Sequence, residues 1–141
     1  MTALDLTPLI RALASLQRGL TRWQATPDDE ELRDACIQRF EFTFELSWKM
    51  LKRRLELDLP NAVEVDAMSF RALIRAGAEQ GLIGEVAPWW VYRDKRNITS
   101  HTYDARKAAE VAAVLPAFAR DVQALLAALQ QRGGDEGHGD A

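Results

Sequence analysis

Apolar residues return every three or four positions along most of the chain, and no segment alternates apolar and polar residues as a half-buried strand does. A first helix is predicted over residues 7–24, where Thr7 and Pro8 give a helix-start signal before leucines at steps of three and four. A second, long helix is predicted over residues 28–57, because Pro27 precedes an acidic first turn that the helix dipole favours.

The second half of the chain continues the helical pattern. A third amphipathic segment is predicted from Asp66 to Gln80 and is closed by Gly81, and a fourth helix starts near Pro88. The last helix, from Ala105 to Gln131, is expected to kink or restart at Pro116, which lacks a backbone donor. The pattern therefore predicts an all-α, antiparallel up-and-down bundle of about five helices.

Length and composition indicate a single domain. The chain has 141 residues, of which 48% are hydrophobic, and this is enough to bury a core. The bundle domain is predicted over residues 1–131. Residues 132–141 are rich in glycine and charge, so they are predicted to form a disordered tail in which His138 is inert.

Several classes of protein are disfavoured by the same composition. A single cysteine, Cys36, gives no disulfide framework and no cysteine-rich zinc site, and it is interpreted as a core residue. There is no signal-peptide pattern and no long uncharged apolar run, which favours a cytoplasmic protein without a membrane span. A net charge of −3 argues against a broad DNA-coating face but is compatible with a local basic pocket.

Polar chemistry is concentrated in one stretch, RDKRNITSHTYD, residues 93–104. On a helix, Arg93, Asn97 and His101 share one row, and a neighbouring row holds Arg96, Ser100 and Tyr103. Five positions separate the arginine at 96 from the histidine at 101, or about 140° on an unbroken helix. The two therefore converge only if the helix loosens, as β-branched residues at 98 and 99 would favour, or if a second subunit completes the site.

Two interpretations of this stretch remain open. It is either the solvated face of a bundle helix, with Arg93 and Asp94 in exposed ion pairs, or a reactive site. The second interpretation rests on the combination of an arginine that can hold a phosphate, a histidine that can exchange a proton near neutral pH, and a phenol. These groups suit phosphodiester chemistry that uses neither a metal nor another cofactor.

The segment RNITSHTY, residues 96–103, resembles the Arg-x4-His-x-Tyr signature of HEPN domains, the "higher eukaryotes and prokaryotes nucleotide-binding" superfamily. Together with IQRFEFTFELSWK at residues 37–49, it is similar to the branch of nucleotidyltransferase substrate-binding subunits, relatives of the HepT toxins. The resemblance covers nearly the whole chain up to about residue 130. It implies a homodimer whose motif helices build a shared cleft for RNA or a nucleotide, and a minimal nucleotidyltransferase as partner protein.

The resemblance also implies roles for individual residues. Arg96 would hold the scissile phosphate, His101 would move the proton, and Asn97 would position backbone or phosphate. Tyr103 would accept AMP from the partner, which silences the toxin. Arg93 and Ser100 are further candidates for substrate binding, and no metal site is expected.

Two functions from different classes follow. In the first, the chain is a metal-independent RNA endonuclease that is neutralised by AMP transfer to Tyr103. In the second, the same cleft is a docking and nucleotide-binding site, and the chain is a non-catalytic subunit of a nucleotidyltransferase.

Other candidate residues are interpreted mainly as structural. The aromatic stripe of Phe40, Phe44 and Trp48 with Leu51 fits a core or dimer interface. At least one of two tryptophans, Trp89 and Trp90, is expected to pack beneath the cleft. A metal or general-base role is weighed for two acidic residues one helical turn apart, Glu41 and Glu45. The basic cluster is either a solvated face or a guide for RNA or the partner, and it comprises Lys49, Lys52, Arg53 and Arg54.

Overall fold

Six α-helices and one 3₁₀ turn make up the part of the chain that the structure describes, residues 4–137 of a computed structural model. The helices are α1 (Thr7–Ala25), α2 (Glu30–Asp58), α3 (Ala62–Asp66), α4 (Phe70–Glu79), α5 (Ala87–Asn97) and α6 (Ala105–Gly137), with the 3₁₀ turn at Thr99–His101. Within residues 4–137 there is no strand, and the predicted all-α bundle is confirmed.

The first two helices lie close to where the sequence places them. α1 begins at Thr7, but the N-cap position is occupied by Leu6, and the Thr7 N–H donates to the Asp5 carboxylate at 3.0 Å. α2 is capped by Asp29, whose Oδ1 accepts from the N–H groups of Glu31 at 2.9 Å and Leu32 at 3.1 Å. The long central helix therefore starts with two of its exposed donors satisfied.

Replacing Asp29 with alanine is expected to lower the free energy of unfolding by about 1 kcal/mol, because α2 then loses its side-chain cap. Denaturant titration of the purified protein measures this difference. The neighbouring Asp28 provides a matched control, since it is exposed and has the same charge, and Asp28→Ala should cost much less. Equal losses in the two variants would show that charge near the helix dipole, rather than the cap, is responsible.

The region after α2 differs from its prediction. The single segment expected from Asp66 to Gln80 is in fact two helices, because α3 forms earlier and α4 begins only at Phe70. Separate side-chain caps explain the division: Asn61 Oδ1 accepts from the first turn of α3, and Ser69 Oγ accepts from the Ala72 N–H at 3.1 Å. The predicted stop is confirmed at Gly81, which has φ 76°, a conformation that favours glycine.

The last helix neither stops nor restarts at Pro116, contrary to one of the two expected outcomes. The helix face next to the proline is packed against the rest of the bundle, and Leu115 and Phe118 have no exposed surface. Burial of this apolar face stabilises the helix against the loss of one backbone hydrogen bond. Length and apolar composition would also allow this helix to cross a membrane, but its apolar side chains form the core of the bundle.

The helix continues beyond the boundary predicted at Gln131, so residues 132–137 of the predicted tail are helical. Arg132 anchors this extension, since its guanidinium donates to Asp58 Oδ2 at 3.0 Å and to the Gln80 carbonyl at 2.5 Å. His138 and the rest of the predicted tail lie outside the described residues.

The core lies where α2 packs between α1 and α6. Cys36 is fully buried there, as predicted, and burial raises the pKa of its thiol. The ring of Phe118 on α6 meets Phe40 edge-on at 4.7 Å and also packs against Trp89 and Tyr92 of α5. Tyr92 fixes α5 further by donating its phenol hydrogen bond to Asp121 of α6. These contacts hold α5, and the polar stretch that follows it, against the bundle.

Candidate functional site

The polar stretch occupies the end of α5 and the connection to α6. α5 ends at Asn97, Ile98 is a turn residue, and the 3₁₀ turn follows directly. The helix therefore loosens between Arg96 and His101, which is the first of the two conditions for their convergence. Asp104 closes the connection by capping α6, since its Oδ1 accepts from the Arg106 N–H at 2.9 Å.

Thr99 locks the arginine at the end of α5. The Thr99 side chain is buried; its Oγ1 donates to the Arg96 carbonyl at 2.8 Å and accepts from Arg96 Nη1 at 2.9 Å. This reciprocal pair fixes the guanidinium relative to its own backbone. The sequence prediction did not assign Thr99 to the site, although a hydroxyl three residues after an arginine at a helix end can make this contact.

Two carboxylates of α2 face the same guanidinium. Arg96 Nη1 lies 3.4 Å from Glu41 Oε2, and Arg96 Nε lies 3.4 Å from Glu45 Oε1. The second contact does not have hydrogen-bond geometry, because Nε is buried without a hydrogen-bond partner. The two acids are therefore counter-ions of Arg96, which the sequence prediction missed. Two acidic residues one helical turn apart repel each other, so this pattern beside a buried stripe indicates a nearby cation.

Trp48 extends this network along α2. Its indole Nε1 donates to Glu45 Oε2 at 2.8 Å, so one carboxylate joins the indole to the Arg96 guanidinium. In the predicted stripe, Phe40, Phe44 and Leu51 are buried in the core, whereas Trp48 is only half-buried. Its ring is thus both packed and accessible from the outside.

His101 and Tyr103 lie on the exposed side of the connection. Their ring centroids are 6.2 Å apart and the rings are nearly perpendicular. The His101 side chain is exposed, and the phenol-bearing side chain of Tyr103 is 86% exposed. Both are accessible to a large partner or substrate, in contrast to Arg96, which is held between two helices. Ser100 is also exposed.

A cavity of about 400 Å³ opens beside Arg96, between α2, α4 and α5. Three of the predicted site residues line it, namely Arg93, Arg96 and Asn97. Its other lining residues are Phe44, Glu45, Trp48, Lys52, Met68, Phe70 and Leu73. Ser100, His101 and Tyr103 do not line this cavity, so the predicted residues divide between a cavity and an adjacent exposed turn.

The basic cluster on α2 does not form one solvated face. Arg54 is almost fully buried and hydrogen-bonds to Asp58, whereas Lys52 reaches Asp66 at 2.9 Å. The hydrogen bond to Asp66 raises the pKa of the Lys52 ammonium group, which stays charged at the cavity rim. In the described part of the chain, no three His, Cys, Asp or Glu side chains are grouped so that they could hold a metal ion.

The fold and the motif place this chain among known proteins. The family described as nucleotidyltransferase substrate binding protein like matches residues 4–131. The chain belongs to this family, and the predicted membership of a HepT-like, nucleotidyltransferase substrate-binding family is confirmed.

Individual relatives agree with this assignment. A protein of Haemophilus influenzae (strain Rd) named probable ribonuclease HepT is 47% identical over 97 residues, which are 69% of this chain and 66% of that protein. A Haemophilus influenzae structure with the fold of a nucleotidyltransferase substrate-binding domain has a TM-score of 0.85 and 36% identity, covering 89% of this chain and 99% of its own. A crystal structure from Thermus thermophilus has a TM-score of 0.72 and 32% identity, covering 86% of this chain and 98% of its own.

Proposed function

We propose that this chain is a metal-independent RNA endonuclease, acting in the cytoplasm as a homodimer and controlled by a minimal nucleotidyltransferase in a toxin–antitoxin pair. The proposal rests on the arrangement of two side chains at the end of α5. Arg96 is fixed by Thr99 and by two carboxylates, whereas His101 stands exposed on the 3₁₀ turn that follows. A held cation and an accessible proton carrier are the groups that phosphodiester cleavage needs.

The reaction would use the ribose of the RNA as the nucleophile. His101 of one protomer accepts the proton of the 2′-hydroxyl while the 2′-oxygen attacks the phosphorus. The bond to the 5′-oxygen of the next nucleotide breaks, and the His101 of the second protomer delivers a proton to that oxygen. Arg96 stabilises the negative charge on the pentacoordinate phosphorus. The products carry a 2′,3′-cyclic phosphate and a 5′-hydroxyl.

The name of the Haemophilus influenzae relative, probable ribonuclease HepT, supports the same activity. The test is incubation of the purified chain with RNA in the presence of EDTA. Cleavage that persists in EDTA and leaves 2′,3′-cyclic phosphate ends supports the proposal. RNA that stays intact at high enzyme concentration contradicts it. Sedimentation at micromolar concentration tests the dimer, and a clean monomer would remove the second histidine from the mechanism.

A non-catalytic docking and nucleotide-binding subunit of a nucleotidyltransferase is the second candidate, and the ion pairs of Arg96 favour it. Glu41 and Glu45 offset part of the positive charge of this arginine, so its attraction for a phosphate is weaker than that of an unpaired arginine. Under this alternative, the chain binds the transferase and a nucleotide but does not cleave RNA with or without EDTA.

The exposed Tyr103 is the proposed acceptor of AMP. Its phenol oxygen would attack the α-phosphorus of ATP in the active site of the transferase, releasing pyrophosphate, and its proton would pass to a base of the transferase. Tyr103→Phe is expected to abolish incorporation of AMP and to leave an RNA-cleaving protein that the transferase and ATP no longer silence. Mass spectrometry and the cleavage assay measure these two results.

The chain contains one other tyrosine, which makes a matched control. Tyr92 is buried, and this burial, with the hydrogen bond to Asp121, raises the pKa of its phenol well above the ordinary value. Tyr92→Phe should therefore still incorporate AMP. Labelling that survives Tyr103→Phe would place the acceptor elsewhere.

A further inference from the structure

The cavity beside Arg96 combines an aromatic interior with a cationic rim. The rings of Trp48 and Phe70 line it, and Arg93 and Lys52 lie at its edge. Phe70 stacks with Phe44, which also lines the cavity, with ring centroids 5.7 Å apart and planes inclined by 29°. A cavity of about 400 Å³ is within the range of sites that hold a small organic group.

The aromatic walls are held in fixed orientations. The Trp48 indole is tied to Glu45 at 2.8 Å, and Phe70 is also met edge-on by Trp90 at 6.2 Å. Fixed rings accept a flat, apolar-faced ligand without losing side-chain freedom. A nucleobase is such a group, and stacking of bases on aromatic side chains tolerates different sequences.

The charges at the rim indicate what the flat group is attached to. Arg96 and Lys52 have carboxylate partners, but Arg93 forms no ion pair with any residue in the described part of the chain. Its exposed guanidinium instead lies 4.9 Å from the centre of the Phe70 ring. A ligand with its own negative charge would complete this position, and a phosphate offers the geometry that a guanidinium prefers.

Asn97 adds hydrogen-bonding capacity at the mouth of the cavity. Its side chain is exposed and lines the opening next to Arg96. An amide both donates and accepts, so it can bond the edge of an unpaired base. A base within a duplex cannot reach a cavity of this kind, because its edge is paired and its faces are stacked.

We infer that this cavity is a subsite for the unpaired base of the nucleotide adjacent to the scissile phosphate, and that the substrate is single-stranded RNA. In this arrangement the base stacks on Trp48, with Phe70 and Arg93 beside it. Arg93 holds the phosphate on the far side of that nucleotide, and Arg96 holds the cleaved one. The inference rests on the proposed endonuclease function and names its substrate class.

The test measures binding separately from cleavage. A fluorescent single-stranded oligonucleotide with 2′-O-methyl ribose has no nucleophilic 2′-hydroxyl, so the full-length protein binds it without cutting it. Fluorescence anisotropy gives the Kd at fixed salt concentration. Arg93→Gln removes the free cation, and Met68→Trp fills the cavity without changing its charge. Each variant is expected to bind at least about tenfold more weakly, Met68→Trp because one stacked base is lost and Arg93→Gln because one charge-assisted contact with a phosphate is lost.

Two comparisons make the result specific. Arg22→Gln removes an exposed arginine from the last turn of α1, outside the cavity, and should bind like the wild type. A duplex of the same sequence should bind at least about tenfold more weakly than the single strand, because it offers phosphates but no free base. Circular dichroism confirms that each variant is folded.

The outcomes separate this inference from the proposed function. If the wild type cleaves RNA but both cavity variants bind as tightly as it does, the subsite is wrong and the endonuclease stands. If the wild type does not cleave RNA but the variants lose single-strand binding, the base site stands and the endonuclease is wrong. Equal affinity for single strand and duplex, or no binding of the single strand, overturns the inference.

Discussion

His101→Ala is expected to lower the rate of RNA cleavage in EDTA by about 10²- to 10⁴-fold, the contribution typical of a positioned proton carrier. The same change should leave the melting temperature unchanged within error, because the imidazole is exposed and no hydrogen bond of its side chain occurs in the described part of the chain. Loss of activity with retention of the fold distinguishes a catalytic histidine from a structural one. Single-turnover cleavage and thermal unfolding on the same preparation give both quantities.

The sequence supplies a matched control for this experiment. The other histidine of the chain is His138, for which His138→Ala removes the same group and should retain full cleavage. A large drop in the melting temperature of His101→Ala would contradict the catalytic role. So would cleavage at the wild-type rate.

Arg96→Ala is expected to reduce cleavage by about 10²- to 10³-fold, as does the loss of one group that stabilises transition-state charge. Unlike the histidine variant, this protein should also melt at a lower temperature. Glu41 and Glu45 would face each other without their shared cation, and Thr99 would lose one of its two hydrogen-bond contacts with Arg96. Arg96→Lys keeps one charge but not the forked geometry, so it should recover stability better than activity.

Arg106→Gln is the control for the loss of a positive charge near the motif. Arg106 is exposed in the first turn of α6, so Arg106→Gln should have no large effect on the cleavage rate or on the melting temperature. If Arg96→Ala loses stability but keeps cleavage, the arginine is a tie between α5 and α2 rather than a catalytic group. That result would leave the endonuclease in place but remove Arg96 from its mechanism.

His101→Ala and Arg96→Ala are expected to differ in stability because the two side chains are held differently within the site. His101 lies on a turn whose backbone is fixed by short-range hydrogen bonds, while its own side chain is exposed and free to act. Arg96 is built into the packing of α5 on α2, which restricts its motion and offsets part of its charge. Restricting a charged group before substrate arrives lowers the reorganisation needed during the reaction.

Most of the bundle could be predicted from the sequence because its signals are local. Helical periodicity with Pro8 and the acidic turn after Pro27 placed α1 and α2 within two residues of their observed ends. The motif likewise gave the candidate residues without any structure. The local signals were insufficient between residues 59 and 80, where two side-chain caps divide what looks like one amphipathic segment.

The sequence by itself therefore determined an all-α bundle, its core stripes and a polar stretch at residues 93–104, since these depend on spacing along one chain. Only the tertiary structure decided which groups meet. It paired Arg96 with Glu41 and Glu45, opened a cavity between Trp48 and Arg93, and carried α6 through Pro116. These features depend on contacts between helices far apart in the chain, and their packing energy overrides local propensity.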